Sequence, residues 1–186
     1  MKKLFIICIS MIVFGVGLQA HSGCEHDFNF DGIHCDDRDY EFDDDCIYIY
    51  SEYNFDEYIK ITSEMDLYVN GELINTGYSD TKILEKYYCG LREIRKRAVD
   101  LGCEGAKLGL KGARIGILAV AKLPMVFLGN ADEFERDIEK EAAKIELEAE
   151  KIEKRGEALE NFVDEVEELE SDLKYRIEEL DDLDWF

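Results

Sequence analysis

From Thr81 to Leu180 the chain repeats apolar residues at helical spacing, broken only around its single proline, Pro124, and the Gly129–Asn130 pair. More than half of the sequence is thereby committed to two long helices and withdrawn from any sheet. The first, expected over about 81–123, runs through Leu84, Tyr88, Leu91 and Ile94. The second, expected over about 131–182, opens on Asn130 and Glu133, whose spacing is that of a capping box. Its apolar positions Phe134, Ile138, Ala142, Ile145, Ala149, Ile152, Gly156 and Leu159 follow a heptad, which predicts an antiparallel, coiled-coil-like helical hairpin. A continuous helix over that length would span roughly 75 Å, so its end should project or fold back near Gly156.

Within the first helix Ala98, Gly102, Gly105, Gly109, Gly112, Gly116 and Ala119 recur at alternating steps of four and three. A glycine inside a helix costs about 1 kcal/mol against alanine, so the seam is expected only where another backbone packs closely on it. Gly102, Gly105, Gly109, Gly112 and Gly116 are therefore the expected close-packing residues, with the second helix or a second copy of the chain as partner. Charge agrees with the first choice. Residues 82–122 hold 10 bases and 4 acids, whereas residues 21–81 hold 17 acids and 2 bases and residues 123–186 hold 23 acids and 8 bases. Along the second helix Glu150–Lys154, Glu170–Lys174 and Asp172–Arg176 are expected to pair, each contributing about 0.3–0.5 kcal/mol.

Upstream the period changes from helical to twofold. CIYIYS over Cys46 to Ser51, EYIKIT ending at Thr62 and DLYVNGELI are rich in Ile, Tyr and Val, which reads as short strands. Asn70–Gly71 supplies the two positive-φ residues of a type I′ turn, pairing Leu67 to Val69 with Glu72 to Ile74. Cys46 to Ser51 and Tyr58 to Thr62 should neighbour that hairpin in a small antiparallel sheet, and DFNFD should place Phe28 and Phe30 on one face. The fold class expected is α+β, with a β domain over 21–80 followed by the helical hairpin over 81–186.

Lys2 and Lys3 precede an uncharged apolar stretch from Leu4 to Leu18, and Ala20 offers a small residue for cleavage. That stretch is short for a bilayer core of roughly 30 Å, so residues 1–20 read as an export signal and the protein as periplasmic or secreted. A lipoprotein signal on Cys24 is the competing reading, weakened by His21 where leucine belongs. Removing the two signal lysines takes the formal charge from −22 to −24, which disfavours nucleic acid as a partner. Arg92, Arg95, Lys96 and Arg97 should accordingly find acids within the molecule.

Export favours disulfides among Cys24, Cys35, Cys46 and Cys89, with Cys103 as the fifth cysteine. Any two of Cys24, Cys35 and Cys46 could close a small loop over the sheet. Cys89 and Cys103 cannot pair, because the intervening helix rises about 21 Å while a disulfide needs Cα atoms within about 7 Å. Asp27, Asn29 and Asp31 with Gly32 match the opening of a calcium loop, but Arg38 stands where the closing acid belongs. His21, His26 and His34, with the α-amine exposed by cleavage, could chelate copper. No nucleophile elbow, phosphate loop, HExxH or dinucleotide fingerprint is present, so no catalytic residue is assigned and no cofactor is expected, with calcium as the alternative.

The stretch IGILAVAKLPMVFL has one charge, Lys122, and is too short to span a bilayer. It is expected to pack under the sheet as core. The alternative is an apolar interaction tip formed by Pro124, Met125, Val126, Phe127 and Leu128 that contacts a membrane surface or another envelope protein. Trp185–Phe186 is expected to dock on its own fold.

With its export signal, CEHDFNFDGI, LYVNGELI, EKYYCGLREI, a small-residue helix and a charged tail, the chain resembles the YggN-like family of periplasmic proteins. The resemblance implies a periplasmic protein without assigned catalytic residues. The function expected is a noncatalytic envelope interaction or maintenance protein. The alternatives are a divalent-cation binder and a membrane-surface-active protein using the glycine helix and its tip.

Overall fold

Twofold alternation of branched and aromatic residues, as in Cys46–Ser51 and Tyr58–Thr62, gives each strand one face that must be buried and one that need not be. A computed structural model describes residues 32–35, 38–54, 56–126 and 131–186, with side-chain surroundings for residues 38–54, 56–118 and 136–186. Six strands follow one another as an antiparallel meander: β1 (Gly32–Cys35), β2 (Arg38–Phe42), β3 (Cys46–Ser51), β4 (Tyr58–Thr62), β5 (Leu67–Val69) and β6 (Glu72–Ile74). Two long helices, α1 (Tyr78–Val126) and α2 (Ala131–Arg176), and a short α3 (Glu178–Asp181) complete the α+β fold. The expected β3, β4 and β5–β6 hairpin are all present, and Asn70 (φ 51°) and Gly71 (φ 84°) form its turn. Two strands are unexpected, β1 with its short GIHC and β2, whose RDYEF alternates beside a run of aspartates.

The described chain divides into two compact units, residues 32–98 with Leu159–Phe186, and Val99–Ala158. No division falls near residue 80, because the sheet cannot cover its own apolar face. In the first unit Ile47, Ile49, Ile59, Ile61 and Leu67 point inward and are at most 1% exposed. Leu84, Tyr87, Tyr88 and Leu91 of α1 share that core with Val166 and Leu173 of α2 and with Ile177, Leu180, Leu183 and Phe186 beyond it. Fully burying each of these side chains is worth roughly 1.5–3 kcal/mol, so the four isoleucines and Leu67 together outweigh every ion pair in the unit.

One polar cluster borders this core. Arg38 Nη1 donates to Glu170 Oε1 at 2.7 Å, Tyr87 Oη donates to Glu170 Oε2 at 2.8 Å, and Arg38 Nε donates to the Trp185 carbonyl at 3.0 Å. Lys174 Nζ donates to the carbonyls of Leu183 and Phe186, and Trp185 Nε1 donates to Glu57 at 2.8 Å. Trp185 and Phe186 thus dock on their own fold. Two of the three expected helix-surface pairs give way to these longer-range contacts. Glu170 serves Arg38 and Tyr87 instead of Lys174, and Arg176 lies 3.5 Å from Asp80 instead of pairing with Asp172. Glu150–Lys154 forms as expected. Of the α1 bases expected to find acids, Arg97 pairs with Glu93 and lies over the Phe162 ring, while Arg92 donates to the Asp43 and Asp44 carbonyls and Arg95 lies over Phe42.

In the second unit the helices run antiparallel, with Arg155 bonded to Glu104 and Lys111 Nζ 2.6 Å from Glu148. The glycine seam does not do what its spacing suggests. A Cβ placed on Gly102, Gly109, Gly112 or Gly116 meets nothing within 4 Å. At about 100° per residue, the face of α1 carrying Glu104 and Lys111 is turned well away from Gly109 and Gly116, so the paired side chains and the glycines occupy different sides. Close approach occurs instead at Gly90 in the first unit, where a Cβ would lie 2.6 Å from Val166 Cγ2. Ile117 and Leu118 are 69% and 54% exposed, so the expectation that this stretch forms core fails for them. The helix also runs two residues past Pro124, to Val126.

Gly90→Ala should therefore destabilise the protein by about 1–3 kcal/mol through overpacking. Gly109→Ala, Gly112→Ala and Gly116→Ala should each stabilise α1 by up to about 1 kcal/mol. Urea unfolding of the four variants checks the opposite signs.

Candidate functional site

The buried isoleucines fix what faces the other way. Cross-strand register sets Glu41, Tyr48, Lys60, Tyr68 and Leu73 in one row across β2 to β6, and Asp39, Tyr50 and Tyr58 in a second row. The four tyrosines and Lys60 are half-buried, and Leu73 is 61% exposed. Tyr48 and Tyr50 stack with ring centroids 5.9 Å apart at 9°, and Tyr58 lies 6.2 Å and 5.9 Å from them at a tilt. Lys60 Nζ sits 5.3 Å from the Tyr48 centroid and 5.6 Å from that of Tyr68.

This is an aromatic ladder with a cation seated in it. The negative face of each ring attracts the ammonium, an interaction worth about 0.5–1 kcal/mol at an exposed site. Cross-strand aromatic pairs contribute a further 0.2–1 kcal/mol each to the sheet, on the order of one hydrogen bond. Hydrogen bonding and charge interaction with Tyr48 hold the Lys60 pKa above its ordinary value. Tyr50 Oη donates to Glu41 Oε2 at 3.2 Å. Partial burial, then the Glu41 carboxylate, push the Tyr50 phenol up to about 12.

Around the ladder the sheet is acidic, with 11 acids and 2 bases between residues 38 and 74. One of those bases, Arg38, is engaged by Glu170 and lies 5.1 Å from the Phe186 ring. Burial alone would depress the Arg38 pKa, but Tyr40, Glu170 and Tyr87 outweigh it and the net shift is upward. Tyr87, fully buried, has its pKa raised by that burial and by Tyr40 and Glu170. Lys60 is thus the one base on the outer face of the described strands β2 to β6. The arrangement can hold cations and flat or apolar groups by contact.

The metal, disulfide and tip residues proposed from sequence are described only in part. His21, Cys24, His26, Asp27, Asn29 and Asp31 lie outside the described residues, as do Phe127 and Leu128 of the tip. Pro124, Met125 and Val126 close α1, where only the backbone is described. His34 stands opposite Asp39 in register, and Cys35 opposite Arg38. Arg38 in turn pairs with Ser51, five residues along β3 from Cys46. At about 3.3 Å per residue that is roughly 17 Å, plus two strand spacings, so Cys35 and Cys46 are too far apart for a disulfide. Cys46 is buried, Cys89 exposed and Cys103 half-buried, and all three are free thiols. Among the described residues no group of three or more metal-ligating side chains gathers.

An open groove of about 680 Å³ lies within the second unit beside Ile115, Leu118 and Ile145. On its charged rim Lys111 pairs with Glu148 and Lys144 with Glu141, and Arg114 is the remaining charge. It therefore presents no convergent set of unmet groups. Among the described residues no helix is long and apolar enough to cross a membrane.

No family model matches the chain, and neither a curated protein nor a solved structure does.

The titration of Tyr50 offers a direct check on the ladder. Glu41→Gln should bring its pKa down from about 12 toward 10, read by carbon-labelled tyrosine NMR. Because the folded phenol resists ionisation, its stabilising contribution is complete below about pH 10 and is lost as the pH rises toward 12. Alkaline unfolding of Glu41→Gln should accordingly depend less on pH in that window.

Proposed function

We propose that this is a noncatalytic, exported interaction protein whose contact surface is the outer face of the sheet. The observation that supports it is the set of four tyrosines on the face turned from the core, beside exposed Leu73. Tyrosine is enriched at binding surfaces because a rigid ring carries large contact area at little entropic cost, with a hydroxyl that tolerates water. The inner face already supplies the fold with its core, so the outer rings are available to a partner. In this reading the helices of the first unit support the surface from behind. The export signal read from residues 1–20 agrees with an envelope setting.

A photocrosslinker at Leu73 should capture a partner in the cell envelope, and Tyr48→Ala with Tyr68→Ala should remove that product. A crosslinker at Ile47 serves as the control for the buried face. If Leu73 yields no product, or one indifferent to the tyrosine variants, the sheet-face reading is wrong.

A second reading has its own observation. Ile117 and Leu118 are exposed on a segment of α1 that also carries Lys107, Lys111 and Arg114, a composition suited to an anionic membrane surface. On that reading the protein should float with vesicles containing anionic lipid, and Ile117→Ser with Leu118→Ser should abolish flotation. Absence of flotation at low salt would remove it.

A further inference from the structure

Resting on the sheet-face reading, we infer that the tyrosine ladder recognises guanidinium or ammonium side chains of a basic polypeptide segment. Lys60 already demonstrates the chemistry: its ammonium lies over two rings at once, between Tyr48 and Tyr68. The second row repeats the aromatic part. Tyr50 and Tyr58 stand 5.9 Å apart at a 42° tilt, and no base of the described strands lies between them. Glu41, bonded to Tyr50, puts a carboxylate at the edge of that pair. A planar guanidinium stacked on the Tyr50 ring would meet both an aromatic face and an anion, the two features that bind it best.

Charge sets the sign of the partner. Between residues 38 and 74 acids outnumber bases 11 to 2, and Arg38 is already taken by Glu170 and the Trp185 carbonyl. An acidic or phosphate-bearing ligand would meet repulsion from Asp39 and Glu41 on the face and from the acidic loops around it, whereas a basic segment is steered toward it. The rings then decide where it settles. Acidic loops around the sheet attract any cation diffusely, but only the ladder offers faces that distinguish a side chain seated over a ring from a counterion. Lys60 is consequently a competitor for its own site, and removing it should open a second position between Tyr48 and Tyr68.

Titration of the purified protein with an arginine–glycine repeat peptide, followed by calorimetry and tyrosine NMR, tests this. Its control is the same peptide with glutamine for arginine. The arginine peptide should bind and shift the Tyr50 and Tyr58 resonances, and the glutamine peptide should not. Tyr50→Leu with Tyr58→Leu should weaken binding about tenfold, whereas Tyr50→Phe, which keeps the ring and loses only the hydroxyl bonded to Glu41, should weaken it less. Lys60→Gln should tighten binding severalfold. Circular dichroism of each variant separates lost binding from lost folding.

Binding that Tyr50→Leu with Tyr58→Leu leaves intact would overturn the inference in favour of diffuse attraction to acids. Equal, tyrosine-dependent binding of the glutamine peptide would overturn the cation chemistry while sparing the sheet face as a contact surface. No binding of either peptide would also overturn the cation chemistry, and the Leu73 crosslink would then judge the surface independently. A tyrosine-dependent dimer in sedimentation without peptide would assign the face to a second copy and likewise overturn it.

Discussion

Burial of Ile47, Ile49, Ile59 and Ile61 beneath the helical residues of the first unit is the interaction from which the rest follows. Side chains alternate along a strand, so each inward isoleucine dictates an outward neighbour. A slip of one residue would drive Tyr48, Tyr50 and Lys60 into the core and expose the isoleucines, at a cost of roughly 1.5–3 kcal/mol for each one uncovered. The aromatic ladder is thus held in register by apolar forces acting on the opposite side of the sheet. Rigidity of that kind suits a contact surface, because its rings need not be ordered again on binding.

Electrostatics refines the arrangement without building it. The excess of acids stays outward, where water and salt screen it, while the few bases of the first unit are committed individually. Arg38 binds Glu170 and the Trp185 carbonyl, Arg92 holds two carbonyls of the β2–β3 turn, and Arg97 couples Glu93 with Phe162. These placements leave the sheet's outer face nearly without cations of its own. Lys60 is the exception, and its position over two rings marks the chemistry that the face favours.

Much of this fold was legible in the order of residues. Asn70–Gly71 located the last hairpin because few residues adopt positive φ twice in succession, and the two helices followed from their period. Strands β1 and β2 were hidden because GIHC is short and the alternation of Tyr40 and Phe42 is brief and set among acids. The glycine seam misled for a different reason. Spacing tells which residues share a face but not which face another helix covers, and α1 presents Glu104 and Lys111 to α2 while a Cβ on Gly109 or Gly116 would touch nothing. The pairs assigned to Glu170, Lys174 and Arg176 failed similarly, since weak helix-surface contacts yield to partners brought from far along the chain.

By itself, then, the sequence determined the element types, the antiparallel hairpin and the α+β class, because local period and turn chemistry act between near neighbours. It also determined that Tyr48, Tyr50 and Lys60 oppose the isoleucines, since alternation is a property of the strand alone. Which of those two faces meets water was decided only by the tertiary structure. Both faces are apolar enough to be buried, and the helices cover the isoleucine side because branched aliphatic residues lose more by exposure than tyrosine, whose hydroxyl remains satisfied at a wet surface.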